Sequence, residues 1–342
     1  MNKLLIVGSQ TIHTYNYIEL VKSFFDDILL ITDKRREGYE LEVKELDFSL
    51  KLKNLIETVR GIKQQIEEFK PAVIHIHQAN SYAFYTLQAA KSFKIPVVLT
   101  IWGSDVLVNP KKSFLLKKIV QYNLRRADYV TTDSLYVASE VKRLVPSRTV
   151  ELVANFGVEL LPVNVERQNI VYSNRLHKKL YRIDKVILAF EKFSRQNKDW
   201  KLIIAAEGDQ TNFLKELVRL KSLEGKVEFV GWLNLEENAR WYAQSKIWVS
   251  IPESDGVGIS MLEAMAYGCI PVISDLPVKH EWITNGANGI LVSDVDTEFI
   301  SEAFSLEQPE VQKINHVIIA ERGTKTANSE KFIYLYKKIL NK

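Results

Sequence analysis

Cysteine is almost absent from this sequence: Cys269 stands alone among 342 residues. That excludes an internal disulfide framework and any cysteine-built zinc site, and it points to a reducing compartment, with Cys269 itself read as a small core residue. No apolar run reaches the length needed to cross a bilayer. The opening MNKLLIVGSQ turns polar too soon for a secretory hydrophobic region and reads instead as a first buried strand. Low-complexity segments and fixed-period repeats are also missing. Charge of one sign is scarce: the net is +4, and the excess is confined to the first half, where residues 1–160 hold 22 Lys and Arg against 18 Asp and Glu. So small a surplus gives no support to nucleic-acid binding, but it makes the first half the side that would meet an anionic partner.

What is present is a regular alternation. Short apolar runs (LLIV, DILLIT, AVIHIH, IPVVLT, DYVTT) are separated by segments of helical length, the pattern of a parallel sheet covered by helices. After a break around residues 155–169 the pattern restarts with NIVYS, WKLIIAA, KVEFVG, KIWVSI, CIPVIS and NGILV. The expected organisation is two doubly wound α/β domains, residues 1–160 and 161–325, followed by a terminal helix over 326–342 that packs back on the first domain. Open sheets of this kind bind ligands beyond the carboxyl ends of their strands, so two such domains facing each other would form a cleft.

The most informative stretch is ESDGVGISMLEAMAYGCIP, residues 253–271. KIWVSIP ends a strand, ISMLEAMAY reads as a helix closed near Gly268, and IPVIS is the next strand, so Gly256 and Gly258 fall at a strand-to-helix turn. Such a turn lets backbone N–H groups approach an anion, and the helix adds about half a positive charge there. Asp255 before the turn and Glu263 about one turn into the helix place carboxylates where hydroxyls on either side of a diphosphate would need acceptors. Ser260-Met-Leu-Glu263 also satisfies a capping box, in which Glu263 would only bond a backbone N–H. Gly256-Val-Gly258 lacks the third glycine of a dinucleotide fingerprint and lies far from the first strand, which argues against NAD.

This stretch resembles the signature of the retaining family 4 glycosyltransferases, in which a Glu, seven residues, Glu pattern is followed by Ala-Met-Ala, Gly and Pro-Val, as in Glu263-Ala-Met-Ala-Tyr-Gly-Cys-Ile-Pro-Val. VVLTIWGSDVL, ADYVTTDS, SNRLHKKLYRID, VEFVGWL and NGANGILV follow the same family's order, so the resemblance covers nearly the whole chain. It implies the GT-B fold of two facing Rossmann-like domains, with a UDP- or GDP-linked sugar as donor substrate and no separate cofactor or metal. By the same resemblance Asp255 contacts the donor sugar and Glu263 the ribose hydroxyls, while Gly256, Val257, Gly258, Ile259 and Ser260 line the diphosphate. There are three departures. Asp255 stands where Glu is common, shortening the reach by about 1.5 Å. Trp102 stands where many members have His. The phosphate-binding lysine expected after Arg175 has no unambiguous match, with Lys179 nearest, Lys178 and Arg182 as rivals, and Tyr181 at the aligned position.

Other residues fit around this frame. Arg175 follows the strand NIVYS, where a guanidinium grips phosphate oxygens with paired hydrogen bonds. His75 and His77 share one face of AVIHIH; two histidines at that spacing begin a metal site or pack in a core, and His77 is placed at the cleft as a catalytic candidate. Gly8, His13, Trp102 and Asp105 are expected on the acceptor side of the cleft. Asp294-Val-Asp296 matches a metal-binding Asp-X-Asp but reads better as a solvated loop with a helix cap. Residues 109–126, NPKKSFLLKKIVQYNLRR, carry six basic and no acidic residues around an apolar stripe, as expected of a helix that either lies on an anionic membrane or turns a basic face to water. The function expected is transfer of a sugar from a nucleoside diphosphate to a hydroxyl of a glycan or lipid-linked glycan, in the cytoplasm or on the cytoplasmic membrane face. The alternatives are a sugar-nucleotide epimerase or hydrolase of similar fold, or a catalytically silent partner subunit.

Overall fold

The computed structural model describes residues 2–341, and the chain divides into two compact units, Met1–Phe156 with Lys325–Lys342 and Gly157–Thr324. The first unit holds a seven-stranded, all-parallel sheet of β1 (Lys3–Val7), β2 (Asp27–Thr32), β3 (Glu42–Glu45), β4 (Val73–His77), β5 (Val97–Ile101), β6 (Tyr129–Thr132) and β7 (Leu152–Val153), in the order β3-β2-β1-β4-β5-β6-β7. Its central strands are buried on both faces, which is why β1 and β2 carry the continuous apolar runs LLIV and ILLI, while β4 and β5 are buried throughout and admit His75, His77 and Thr100. The edge strands do not read that way. EVKE in β3 is largely exposed and β7 is two residues long, so neither carries the apolar run that betrays a central strand.

The second unit holds β8 (Gln168–Ser173), β9 (Lys201–Ala205), β10 (Val227–Gly231), β11 (Ser245–Ser250), β12 (Ile270–Ser274) and β13 (Ile290–Val292), again all parallel, in the order β10-β9-β8-β11-β12-β13. Val171, Leu202, Ile204, Ile247, Val249 and Val272 form its core with Val186, Ile187, Phe190 and Phe193 of the helix Ile183–Phe193. That helix buries positions spaced three and four apart, as an amphipathic helix on a sheet must. The fold class expected from the sequence, two parallel-sheet Rossmann-like domains of the GT-B type, is the one present.

Both sheets have a point where the strand order reverses: between β1 and β4 in the first unit, and between β8 and β11 in the second. Crossovers leave in opposite directions there, which opens a crevice at the carboxyl ends of the two central strands. Gly8 and His77 lie at the first reversal; Asn174, Arg175 and the segment beginning at Pro252 lie at the second.

The terminal helix Lys325–Leu340 belongs to the first unit. Phe332 is buried edge-on against the Tyr17 ring at 5.0 Å, the Ser329 hydroxyl donates to the Leu20 carbonyl, and Asn328 accepts from the Asn155 N–H. Tyr336 closes a buried polar network: its hydroxyl meets those of Tyr17 and the His75 Nδ1, while His75 Nε2 lies 2.6 Å from the Thr100 hydroxyl. Every polar group of that network has a partner, so burying it leaves no hydrogen bond unmade. Among the described residues no helix is long and apolar enough to cross a membrane. Phe332→Ala is expected to destabilise the first unit by about 3–5 kcal/mol, read as a lowered urea midpoint; an unchanged midpoint would show that the terminal helix is not part of this core.

Candidate active site

The second unit's reversal point is built from two chain exits tied together. Beyond β8, the Asn174 side chain accepts from Trp248 Nε1 at 2.9 Å and donates to the Tyr242 hydroxyl at 2.7 Å. Beyond β11, the Glu253 N–H donates to the Leu180 carbonyl, and Arg182 donates to the carbonyls of Ile251 and Pro252 at 2.8 and 2.7 Å. Arg182 is thus held by backbone, in a left-handed conformation (φ 49°). Lys178 and Lys179 are exposed on the turn before it. Tyr181, at the place where a lysine was expected, lies under the Arg175 guanidinium at 4.4 Å, a cation–π contact that orients Arg175 towards the β11 exit.

Arg175 reaches Asp255 there, with 3.4 Å between Nη2 and Oδ2. The same carboxylate oxygen lies 3.1 Å from Nζ of Lys279, a lysine that is 2% exposed. Lys279 also donates to the carbonyls of Gly256 and Val257, at 2.8 and 2.9 Å. Reading the sequence did not single out Lys279. It stands 24 positions after Asp255 in an unremarkable PVKHE, on the 3-10 turn Pro277–Glu281, and only the adjacency of β11 and β12 brings it beneath the turn.

Gly258 caps the helix Ile259–Ala266 with φ +77°. A Cβ at this position would lie 2.9 Å from Asp255 Oδ2 and 3.0 Å from Lys279 Nζ, so conformation and space both require glycine. The N–H groups of Ile259 and Ser260, at the start of the helix, have no intrahelical acceptor, whereas Met261 bonds back to the Gly258 carbonyl at 3.0 Å.

The helix boundary also decides between the two readings of Glu263. A capping box would need Ser260 as the cap; the cap is Gly258, without a side-chain hydrogen bond, and Glu263 is the fifth helical residue. The capping reading is therefore set aside. Glu263 Oε2 instead accepts from the Tyr242 hydroxyl at 2.9 Å, and Tyr242 is in turn held by Asn174. Burial raises the Glu263 pKa above the usual carboxyl range, and the Tyr242 hydrogen bond opposes that shift.

In the first unit the sequence candidates gather at the β1/β4 reversal. Gly8 packs so closely on His77 that a Cβ would lie 3.1 Å from the histidine's own. His13 is exposed and stacks on Phe156 at 5.4 Å and Trp102 at 5.9 Å, while Trp102 stacks on Phe156 at 4.4 Å. His77 lies 5.4 Å from the Trp102 ring, fully buried, with neither ring nitrogen hydrogen-bonded among the described residues. Burial, and secondarily His13, push its pKa down to about 3, so the ring is neutral. Asp105 is buried rather than surface-facing. It accepts from the N–H groups of Trp102 and Ala79 at 3.0 and 3.1 Å, and burial pushes it up to about 7, so its visible work is to hold the Trp102 turn.

Among the described residues no three His, Cys, Asp or Glu side chains group as metal ligands. Asp294 accepts from the Asp296 N–H, and exposed Asp296 pairs with Lys185, the arrangement of a solvated loop.

Residues 159–312 match the family described as glycosyl transferases group 1, and residues 3–134 match glycosyl transferase 4-like. The chain is 26% identical over 248 residues to N-acetyl-alpha-D-glucosaminyl L-malate synthase of Bacillus anthracis, covering 67% of this chain and 63% of that one. It is 25% identical over 261 residues to alpha-monoglucosyldiacylglycerol synthase of Streptococcus pneumoniae, covering 68% and 59%. It thus spans about six-tenths of the length of these curated relatives. Among solved structures, Anabaena Alr3699/HepE in complex with UDP superposes with a TM-score of 0.81 at 14% identity, covering 99% of this chain and 100% of that one.

A side chain at Gly258 must adopt a strained conformation, at a cost on the order of 1–3 kcal/mol. Gly258→Ala is expected to lower the urea midpoint accordingly, and Gly225→Ala, where a Cβ meets nothing within 4 Å, to leave it in place; equal midpoints for the two variants would contradict this account of the turn.

Proposed function

This chain belongs to the glycosyl transferases group 1 family, and from that premise we propose that it transfers a sugar, with retention of configuration and without a metal, from a nucleoside diphosphate to a hydroxyl of a glycan or lipid-linked glycan. The observation that carries the reading is the turn at Gly258: a helix start flanked by two carboxylates, one paired to cations and the other backed by a tyrosine. Anabaena Alr3699/HepE crystallised with UDP and with UDP-glucose supports uridine diphosphate as the first donor nucleotide to test, with guanosine diphosphate beside it. The diacylglycerol named for the pneumococcal relative supports a lipid-linked acceptor.

Breaking the bond between the anomeric carbon and the phosphate oxygen develops oxocarbenium character on the sugar and negative charge on the departing diphosphate. The helix start and Arg175 face that charge as fixed donors, which need no reorganisation at the moment of reaction. Asp255, held by Arg175 and Lys279, accepts a hydroxyl of the transferred sugar. Glu263 accepts the ribose hydroxyls through the oxygen that Tyr242 leaves open. In the first unit exposed His13, stacked on half-buried Trp102, offers an aromatic face to the acceptor.

One experiment on two variants follows from these assignments. Glu263→Gln is expected to weaken binding of UDP or GDP by about 1–2 kcal/mol through loss of charge-assisted hydrogen bonds. Asp255→Asn should not weaken binding of the bare nucleotide, because it removes a negative charge near the diphosphate, while transfer falls sharply. The raised Glu263 pKa sets a pH window. Affinity should fall as pH drops through that raised value, above the ordinary carboxyl range, and the dependence should vanish in Glu263→Gln. Calorimetric titration of both variants across pH reads the affinities and a sugar-transfer assay reads the turnover; unchanged nucleotide affinity in Glu263→Gln would remove the ribose assignment.

The basic segment generates the second experiment. The helix Phe114–Arg126 buries Ile119, Val120, Asn123 and Leu124, but leaves Phe114 and Leu115 76% and 66% exposed beside Lys111, Lys112, Lys117 and Lys118. An apolar pair ringed by cations fits an anionic bilayer surface. Replacing the four lysines with glutamine should abolish sedimentation with phosphatidylglycerol vesicles at low salt and leave nucleotide binding unchanged; equal sedimentation of the variant would remove the membrane assignment.

A further inference from the structure

We propose that Lys279 is a positioning residue that shapes the diphosphate-binding face of the Gly258 turn from behind; the proposal rests on the donor reading above. An ammonium that is 2% exposed is costly to bury unless each of its protons is matched. The Lys279 ammonium has three protons, and three acceptors lie around it: Asp255 Oδ2 at 3.1 Å, the Gly256 carbonyl at 2.8 Å and the Val257 carbonyl at 2.9 Å. With its protons engaged in this way, Lys279 is no direct phosphate ligand.

Its effect passes through the peptide planes. In a trans peptide the C=O and the following N–H point in opposite directions, and the chain has no cis peptide bond. Drawing the Gly256 and Val257 carbonyls towards Lys279 therefore turns the N–H groups of Val257 and Gly258 to the opposite side of the turn. The free N–H groups of Ile259 and Ser260 follow immediately along the chain. Successive N–H groups presented together form an anion-binding concavity. Gly258 completes the device, because any side chain there would strike both Asp255 and Lys279.

Charge acts in the same direction. Arg175 and Lys279 share one carboxylate, so the cluster keeps a net positive charge where a nucleoside diphosphate would sit. Lys279 thus supplies, from β12's loop and from below, the second cation that the segment after Arg175 does not bring to this carboxylate.

The test separates this role from simple neutralisation of Asp255. Lys279→Met, Lys279→Arg, Asp255→Asn and the double variant Asp255→Asn/Lys279→Met are compared by thermal unfolding and by calorimetric titration with UDP and GDP. The double variant removes the Lys279–Asp255 pair and leaves no unpaired ammonium beneath the turn, while Arg175 loses its carboxylate there just as it does in Asp255→Asn, so the double variant should unfold near the temperature of Asp255→Asn even where Lys279→Met alone does not fold. It should nevertheless bind the nucleotide at least tenfold more weakly than Asp255→Asn, because the two carbonyls are no longer held. Lys279→Arg keeps the charge but puts a larger, planar guanidinium where one compact ammonium meets three convergent acceptors, so it should not restore wild-type affinity. A folded double variant that binds as tightly as Asp255→Asn overturns the proposal, and so does a folded Lys279→Met with wild-type affinity. If the wild-type protein binds neither UDP nor GDP, the donor reading itself falls and the proposal with it.

Discussion

The carboxylate of Asp255 receives Arg175 and Lys279 on the same oxygen, and the turn that opens the helix Ile259–Ala266 is wrapped around that contact. Much else in the second unit serves to bring these groups together. The reversal of strand order between β8 and β11 delivers Arg175 and Asp255 to one crevice, and the pairing of β11 with β12 brings Lys279 under it. Tyr181 fixes the guanidinium from one side, and Arg182 ties down the carbonyls from which the turn departs. Removing either cation would leave Asp255 with less compensation for its burial, and removing Asp255 would leave a buried ammonium short of an acceptor.

Glu263 is held by different means. Among the described residues no cation pairs with it; a chain of neutral groups from Trp248 through Asn174 to Tyr242 sets the hydrogen bond it accepts. The two carboxylates on one turn therefore stand in different environments. Asp255 is paired with charge, whereas Glu263 is desolvated and its pKa raised. Under the proposed function that difference suits Asp255 to the reacting sugar, where charge changes during reaction, and Glu263 to a static ribose.

The central strands, the site turn and the helix that follows it were legible in the sequence because buried parallel strands leave apolar runs, and closely spaced glycines between a strand pattern and a helix pattern mark a turn. The edge strands β3 and β7 were not legible, since an exposed edge imposes no pattern. The Glu263 ambiguity came from local spacing alone, which cannot say where a helix starts; the positive φ of Gly258 settles that in the structure. Lys279 left no local signal at all, because its partners are brought to it by sheet order. The expected phosphate lysine also illustrates the limit: Lys179 is exposed, and the aligned Tyr181 acts through its ring on Arg175. His75 and His77 alternate on β4 as expected, yet one is satisfied by two tyrosines and a threonine, one of the tyrosines coming from the terminal helix more than 250 residues later, while the other has no hydrogen bond among the described residues.

The central claim is that fixed protein charge and helix N–H groups, with no metal, hold a nucleoside diphosphate at the Gly258 turn. Calorimetric titration of the intact protein with UDP and with GDP, in the presence and absence of a strong chelator, tests it most directly. The account predicts one saturable site for at least one of the two nucleotides, with an affinity that the chelator leaves unchanged. Binding that disappears on chelation, or no binding of either nucleotide, would contradict it.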